Sequence, residues 1–539
     1  MRKFFTSLNI IFGLEIIVVA LAAAGLIPRE AILVWTGIAI FYMIFSPVRD
    51  SLWLVVASIP LAVALPVNDA FDTLANWRIL IVVLFLVWLV KEIKIYCSSP
   101  STSLCYAQDK LESRTEKKYF SMNSLRSFTR SLMRGDESDY LAIAAIIFLL
   151  ITALSIGVAD YKILAIKKLL FLINIFLLFL ITRNLTRDKE AILKVWQAAA
   201  IGGITAIAVA LVQFSVILFV PLIDFWQFWA SRVIGFFYGQ NLADLLSYSN
   251  TWFAYYQSAP PTLRLFSVFP DSHSFAMFSL ISVPIFLSLA FYYRRKKQFF
   301  WIMAGLALLG AVFSGSRGVW ISALPVAAIA IYFWLKETDK ERLKKAIFSL
   351  MIFIFIFLFS TIYPPIFYKI QAWQTGQYSS STISFFERAR SISDLDEMSN
   401  KGRLEIWRNS LTSIAQKPIL GVGLGNFVSV INESASAAKK GASAHNLYLD
   451  IASEVGVLGL LILLLMFIDI LRTAWLVWRR SQEPHFKFFG LLFGLYFIWI
   501  LGYSFFDVVL LNDKVLLLFM VSAATLYSLR NISCDPEKI

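Results

Sequence analysis

Apolar runs of roughly 18–20 residues recur along this chain, the length at which an α-helix crosses about 30 Å of hydrocarbon. Composition agrees. Of 539 residues, 59% are hydrophobic and only 16% charged, and the mean hydropathy is +0.71. Soluble domains run nearer about 45–50% apolar and about 25% charged, so a soluble multidomain enzyme is excluded. The expected fold is all-α, a polytopic transmembrane bundle of about 12–14 helices. The spans read from hydropathy are 8–26, 31–46, 51–65, 79–95, 140–157, 166–182, 194–221, 273–292, 299–314, 318–335, 346–363, 447–478, 488–505 and 514–529.

The formal charge is +14, with a pI near 9.5. In a soluble protein such an excess would suggest nucleic acid; here the positive-inside bias accounts for it and no nucleic-acid partner is expected. Arg294 to Lys297, Lys336 to Lys345, Arg479-Arg480, Arg2-Lys3, Arg183 to Lys189 and Arg530 all fall on one side of the span map, which makes that side cytoplasmic. Both termini then lie in the cytoplasm. Cys97, Cys105 and Cys534 land on the same side, where thiols stay reduced. The basic start followed by an apolar run resembles a signal peptide, but no small-residue cleavage site follows, and an uncleaved first helix is expected.

The chain divides into N-terminal helices (1–96), a Ser-rich cytoplasmic insertion of mixed charge expected to be disordered (97–139), and further helices (140–363). The last group carries an extracytoplasmic loop, 222–264, crowded with aromatics from Phe225 to Tyr256. That density suits an interfacial helix in the headgroup region or an aromatic belt without a ligand. A second extracytoplasmic loop, 364–446, is long enough to be functional or separately folded. It holds nine basic and six acidic residues, a balance that favours an anionic substrate. C-terminal helices and a short tail complete the chain (447–539).

Charged groups at the edge of hydrocarbon are candidates for function, and three clusters fall on the outer side. In Ser314-Gly315-Ser316-Arg317-Gly318, Arg317 opens a helix whose dipole disfavours a cation; a bound anion would reverse that, and headgroup snorkelling is the alternative. Arg264 precedes Phe269-Pro270-Asp271-Ser272-His273, where Asp271 or Ser272 can serve as a helix N-cap. His445-Asn446 enters a helix bearing Asp450 and Glu454. A neutral imidazole suits a general base near neutral pH. Asp450 and Glu454 share a helix face. Glu454 lies about 180° round from His445, so it should pair with a basic group on another helix instead of orienting the imidazole. Residues 401–408 read as an amphipathic helix ending near Pro418. The Gly421-Val422-Gly423-Leu424-Gly425 run lacks the strand–helix frame of a dinucleotide site. No zinc-type His/Cys spacing occurs, and the acidic pair Asp394/Asp396 would lie away from cytoplasmic nucleotide sugars.

The ordered set SGSRG (314–318), GRLEIW (402–407), PILGVGLGNF (418–427) and AHNLYLDIASEVGVLGLL (444–461) resembles the O-antigen ligase/polymerase superfamily, with a looser match over 264–275. The resemblance covers about 260–530, and the 97–139 insertion departs from it. It implies an integral membrane glycosyltransferase of glycosyltransferase-C type in the bacterial inner membrane, working on its outer face. The donor would be a glycan on undecaprenyl diphosphate, and the acceptor a glycan or lipid hydroxyl. No metal or other cofactor is implied. Carried over by motif, Arg317 and Arg264 would bind the diphosphate, Arg403 would position the donor, and His445 would activate the acceptor. Asp271, His273, Asn446, Asp450 and Glu454 would support them. A polymerase joining lipid-linked repeats is the alternative on the same scaffold. A transporter of anionic or lipid-linked solutes is the alternative from another class, and predicts mid-bilayer ionisable residues with repeat symmetry.

Overall fold

A computed structural model of the protein describes residues 6–67, 74–98, 140–240, 243, 252–256, 259–335, 366–367, 369–376, 398–431 and 443–534. Residues 99–139 of the insertion expected at 97–139, the expected span 346–363, Asp394 and Asp396 lie outside these residues, as does Cys105. In chain order the helices are α1 (Ser7–Ala23), α2 (Ala31–Phe45), α3 (Val48–Ala57), α4 (Asn76–Ser98), α5 (Tyr140–Ser155), α6 (Lys162–Leu185) and α7 (Lys189–Val216). After α8 (Leu222–Phe228) and α9 (Gly235–Tyr238) comes a two-stranded antiparallel hairpin, β1 (Phe253–Tyr256) and β2 (Ala259–Leu263). The second half holds α10 (Ser272–Tyr292), α11 (Lys297–Phe313), α12 (Arg317–Leu335), α13 (Met398–Gln416), α14 (Leu447–Arg480), α15 (Pro484–Tyr503) and α16 (Asp513–Cys534). Among the described residues, eight helices are long and apolar enough to cross a membrane. The architecture is the all-helical bundle that the apolar runs imply.

Burial separates helices that hydropathy alone does not. The apolar windows of α10 and α16 are 89% and 83% buried within the protein, whereas that of α6 is 28% buried. α10 and α16 are therefore the central pillars and α6 faces lipid. Lys514, at the start of α16, is buried and donates to the carbonyls of Pro60 (3.0 Å) and Val268 (3.1 Å). Its ammonium also lies 4.6 Å from the Phe237 ring centre and 4.9 Å from that of Tyr238. The combination compensates the desolvation of a buried cation and fastens the segment before α10.

Two expectations are corrected. The span expected at 51–65 breaks: α3 stops at Ala57, a 3-10 turn covers Ile59–Leu61, and the chain then runs extended. Pro60 supplies no N–H to continue a helix, and its freed carbonyl is the one that Lys514 meets. Nor do the rings of the 222–264 loop chiefly form a headgroup belt. Phe225, Trp229, Phe236, Phe237, Tyr238 and Trp252 are buried in protein. Trp252 stacks on Phe266 at 4.8 Å and donates to the Pro270 carbonyl. Phe228 remains exposed. These rings brace the segment that leads into α10.

α14 is a single element interrupted at Gly456, whose φ of 84° and ψ of 173° are non-helical. Such a break leaves backbone groups without helical partners, which hydrocarbon does not tolerate. The Gly-rich turn supplies them. Val422 and Gly423 donate to the carbonyls of Ser453 (2.8 Å) and Glu454 (3.0 Å), and Val457 donates to Pro418 (2.8 Å). A Cβ on Gly456 would lie 2.1 Å from the Ile419 oxygen, and one on Gly421 2.2 Å from that of Ser453. The turn is also fixed to the α5–α6 end, because Leu424 donates to Ser155 Oγ (3.1 Å) and Asn426 Oδ1 accepts from the Tyr161 amide (2.7 Å).

The backbone of Gly456 lies in a region open essentially to glycine alone, where another residue costs about 1–3 kcal/mol before any overlap. Gly456→Ala is therefore expected to lower the melting temperature in detergent by several degrees. Gly13→Ala, which meets nothing within 4 Å, should leave it unchanged. Equal melting of the two variants would contradict the docking.

Candidate active site

The chain enters α14 through a tight turn. Asn446 is the N-cap, its Oδ1 accepting from the amides of Tyr448 (3.0 Å) and Leu449 (3.2 Å). The preceding Ala444 is gripped from both sides: its amide donates to Asp450 Oδ1 (2.9 Å) and its carbonyl accepts from Trp407 Nε1 of α13 (3.0 Å). Between them His445 takes a left-handed backbone conformation, φ 46°. That conformation is uncommon outside glycine and is sustained by surrounding contacts. The imidazole is left 46% exposed. The Leu447 amide donates to the Ser504 carbonyl (2.8 Å) and the Tyr448 hydroxyl to that of Leu501 (2.8 Å), so α14 begins against the end of α15.

The turn that follows α15 completes the site. Asp507 Oδ1 lies 3.7 Å from His445 Nδ1, and Oδ2 lies 3.8 Å from His273 Nδ1. Burial opposes ionisation of this carboxyl, but the adjacent His445 imidazole and the Val508 amide, which donates to Oδ1 at 2.8 Å, hold it below the ordinary carboxylate value. His273, in the first turn of α10, hydrogen-bonds through Nδ1 with the Tyr503 hydroxyl and with Ser316 Oγ at 3.2 Å. Ser316 Oγ and the Tyr503 hydroxyl are themselves 3.3 Å apart. Asp271 is the N-cap of α10, accepting from the amide and hydroxyl of Ser274, each at 2.7 Å. Burial pushes its carboxyl up to about 6, against the lowering effect of those two bonds.

Cationic groups gather around this centre. The Arg264 amide donates to the Trp252 carbonyl (2.8 Å), and its side chain lies along Gly315, where a Cβ would be 3.3 Å from Arg264 Cγ. The charges of Arg264 and of Arg403 on α13 both act on the His273 imidazole. Arg317 opens α12 directly after Ser316; its side chain lies outside the described residues. Four stretches separated in sequence (264–275, 314–318, the start of α13 and 444–446) therefore meet at one end of the bundle.

The two acids of α14 face elsewhere. Lys168 Nζ on α6 lies 2.5 Å from Glu454 Oε2 and 4.0 Å from Asp450 Oδ2. Glu454 thus has the partner on a neighbouring helix that its position implies. Asp450 shapes the turn before His445 through the Ala444 amide. Asp507, Tyr503 and Ser316 were not among the residues expected from the sequence. The signal was present for Asp507, an acid at the end of an apolar helix on the side of the other clusters. The arrangement gathers arginines that can attract an anion near a half-exposed imidazole whose Nδ1 faces a carboxylate.

A family profile described as O-antigen ligase matches residues 302–464. Two curated proteins are also similar. One is a protein of Haemophilus influenzae described as uncharacterized, 27% identical over 199 residues, which are 35% of this chain and 47% of that protein. The other is the ComP-specific O-oligosaccharyltransferase of Acinetobacter baylyi, 28% identical over 198 residues, 35% of this chain and 32% of that protein. The matched region thus spans less than half the length of either relative.

The Asp271 carboxyl binds its proton more tightly in the fold, at about 6, than in an unfolded chain, at about 3.9. The folded state then holds more protons between these values, and this contribution to stability falls as pH rises through that window. Asp271→Asn keeps an acceptor for the Ser274 amide and is expected to melt at or above the wild-type temperature at pH 7, losing that advantage by pH 4. Asp271→Ala removes the cap and should cost about 1 kcal/mol. Melting curves from pH 4 to 7 decide; an Asn variant as unstable as the Ala variant would contradict this reading.

Proposed function

We propose that this chain, whose residues 302–464 match an O-antigen ligase profile and which is similar to an O-oligosaccharyltransferase over 198 residues, is a membrane glycosyltransferase that moves a glycan from undecaprenyl diphosphate to a hydroxyl acceptor. The acceptor is a sugar of lipid A-core or of another surface polymer. The reaction runs at the outer face of the bacterial inner membrane, with both termini in the cytoplasm. The observation that carries this reading is the carboxylate of Asp507 set against His445 Nδ1 (3.7 Å), at the same end of the bundle as Arg264 and Arg403.

The chemistry follows from the placement. At 3.7 Å Asp507 makes no direct hydrogen bond, but its charge favours a proton on Nδ1 of His445, where no hydroxyl donor competes as at His273, so Nε2 is free to accept the proton of the acceptor hydroxyl. The oxygen attacks the anomeric carbon from the face opposite the diphosphate. The bond from that carbon to the phosphate oxygen breaks, its electron pair stays on the diphosphate, and configuration inverts. Arg264, Arg403 and Arg317 bind the donor and stabilise charge on the departing diphosphate; fixed cations at a developing charge act as electrostatic catalysts. The proton on His445 then passes to water at its exposed edge.

In proteoliposomes supplied with an undecaprenyl-diphosphate oligosaccharide and lipid A-core, His445→Ala is expected to lower kcat by about 10²–10⁴-fold. Arg403→Ala is expected to raise KM for the donor by roughly tenfold or more, as loss of a charge-assisted contact does. Wild-type turnover in the first variant would remove His445 as the base. Single-cysteine labelling at position 445 tests the side, since modification from the cytoplasm alone would overturn the orientation.

A further inference from the structure

We propose that His273 is a substrate-binding residue, a neutral donor that presents Nε2–H to an anionic phosphate oxygen of the donor. The inference rests on the reading of the site as one that holds a lipid diphosphate, and it deepens that reading by naming a contact that is not an arginine.

The argument is a proton count. Nδ1 of His273, the Tyr503 hydroxyl and Ser316 Oγ form a closed group of three, every pair within hydrogen-bond reach. Ser316 and Tyr503 are buried, and the three atoms have no other hydrogen-bond partner among the described residues. Each hydroxyl brings one proton that needs an acceptor. If Nδ1 is unprotonated, the Tyr503 O–H donates to it and the Ser316 O–H donates to the Tyr503 oxygen, so both protons are placed. If Nδ1 carries a proton, the group holds three donors, and one proton is left facing no acceptor in a buried site, an arrangement that folded proteins avoid. Asp507 Oδ2, at 3.8 Å, is too far from Nδ1 to take it as a hydrogen bond. On a neutral ring the proton therefore sits on Nε2, because the bond made by one ring nitrogen sets the state of the other.

That second nitrogen has no hydrogen-bond partner among the described residues, on a side chain still 12% exposed. The cationic side chains of Arg264 and Arg403 act on the same ring, so an anion drawn to them comes within range of an N–H donor already oriented by Tyr503 and Ser316. A donor fixed before binding loses little freedom when it engages.

The chain has three histidines, so the tautomer can be read directly. The full-length protein labelled with ¹⁵N-histidine is placed in lipid nanodiscs, with signals assigned through His445→Asn and His485→Asn. Without ligand, His273 is expected to show an unprotonated Nδ1 and a protonated Nε2. On saturation with undecaprenyl diphosphate the Nε2 resonance is expected to shift while the tautomer is retained. A proton on Nδ1 in the free protein overturns the inference alone. So does a silent His273 Nε2 when calorimetry shows that undecaprenyl diphosphate binds. Absence of any binding overturns the lipid-diphosphate reading and this inference with it. Side-chain mimicry gives a second readout: Gln places an amide N–H near Nε2 and Asn near Nδ1. His273→Gln should keep the donor KM within about threefold, and His273→Asn should raise it by roughly tenfold, the size of one lost hydrogen bond to a charged group. The reverse order, or equal loss in both, counts against the proposal.

Discussion

A carboxylate set at the end of an apolar bundle persists in ionised form only where neighbouring groups offset its desolvation. Asp507 meets that condition with the Val508 amide, which donates to Oδ1 at 2.8 Å, and with His445 Nδ1 at 3.7 Å from the same oxygen; His273 Nδ1 lies 3.8 Å from Oδ2. The short segment leading into it organises the rest of the site. Tyr503 reaches His273 and Ser316, the Ser504 carbonyl receives the Leu447 amide, Phe505 packs on Tyr448 at 4.6 Å, and Phe506 lies against Gly318. One turn thereby touches α10, α12 and α14. The histidines, one from each of two motifs distant in sequence, are brought together by a residue that belongs to neither motif.

A second constraint comes from the bilayer. A helix broken within hydrocarbon must find partners for the backbone groups that it releases. In α14 the break at Gly456 is met by the backbone of 418–423. That docking carries the segment after α13 onto the N-terminal part of α14, and it explains why glycines recur at 421 and 423 without any phosphate-binding frame. It also fixes α13, whose Trp407 holds the Ala444 carbonyl next to His445. The Glu454–Lys168 pair lies beside the same break, so the ionic contact and the backbone docking stabilise one junction.

Much of the architecture was legible because lipid imposes a simple rule on sequence, namely long apolar helices with charge at their ends. The rule does not separate helix buried in protein from helix buried in lipid, since both environments are apolar. For that reason α10 and α6 read alike in hydropathy, and the rings of Phe225 to Trp252 read as a headgroup belt when most of them brace the segment before α10. Arg264, His273, Arg403 and His445 were legible as polar residues out of place, and their convergence followed. Asp271 as a cap and Glu454 as the partner of a neighbouring helix were legible from spacing. Asp507 was visible as an acid after an apolar helix, but its role was not, because that depends on two histidines distant in sequence and nothing local shows which imidazole it faces. The docking of Gly421 and Gly423 was hidden for a related reason: it runs through backbone atoms, on which side-chain periodicity is silent.

The central claim is that Asp507 acts through His445. A double-mutant cycle on kcat for glycan transfer, with Asp507→Asn, His445→Ala and the pair, tests it most directly. The account predicts that each single variant is slow and that the double variant is no slower than His445→Ala, since an orienting carboxylate has nothing to orient once the imidazole is gone. A double variant whose loss equals the product of the two single losses would show that the residues act independently, and would contradict the account.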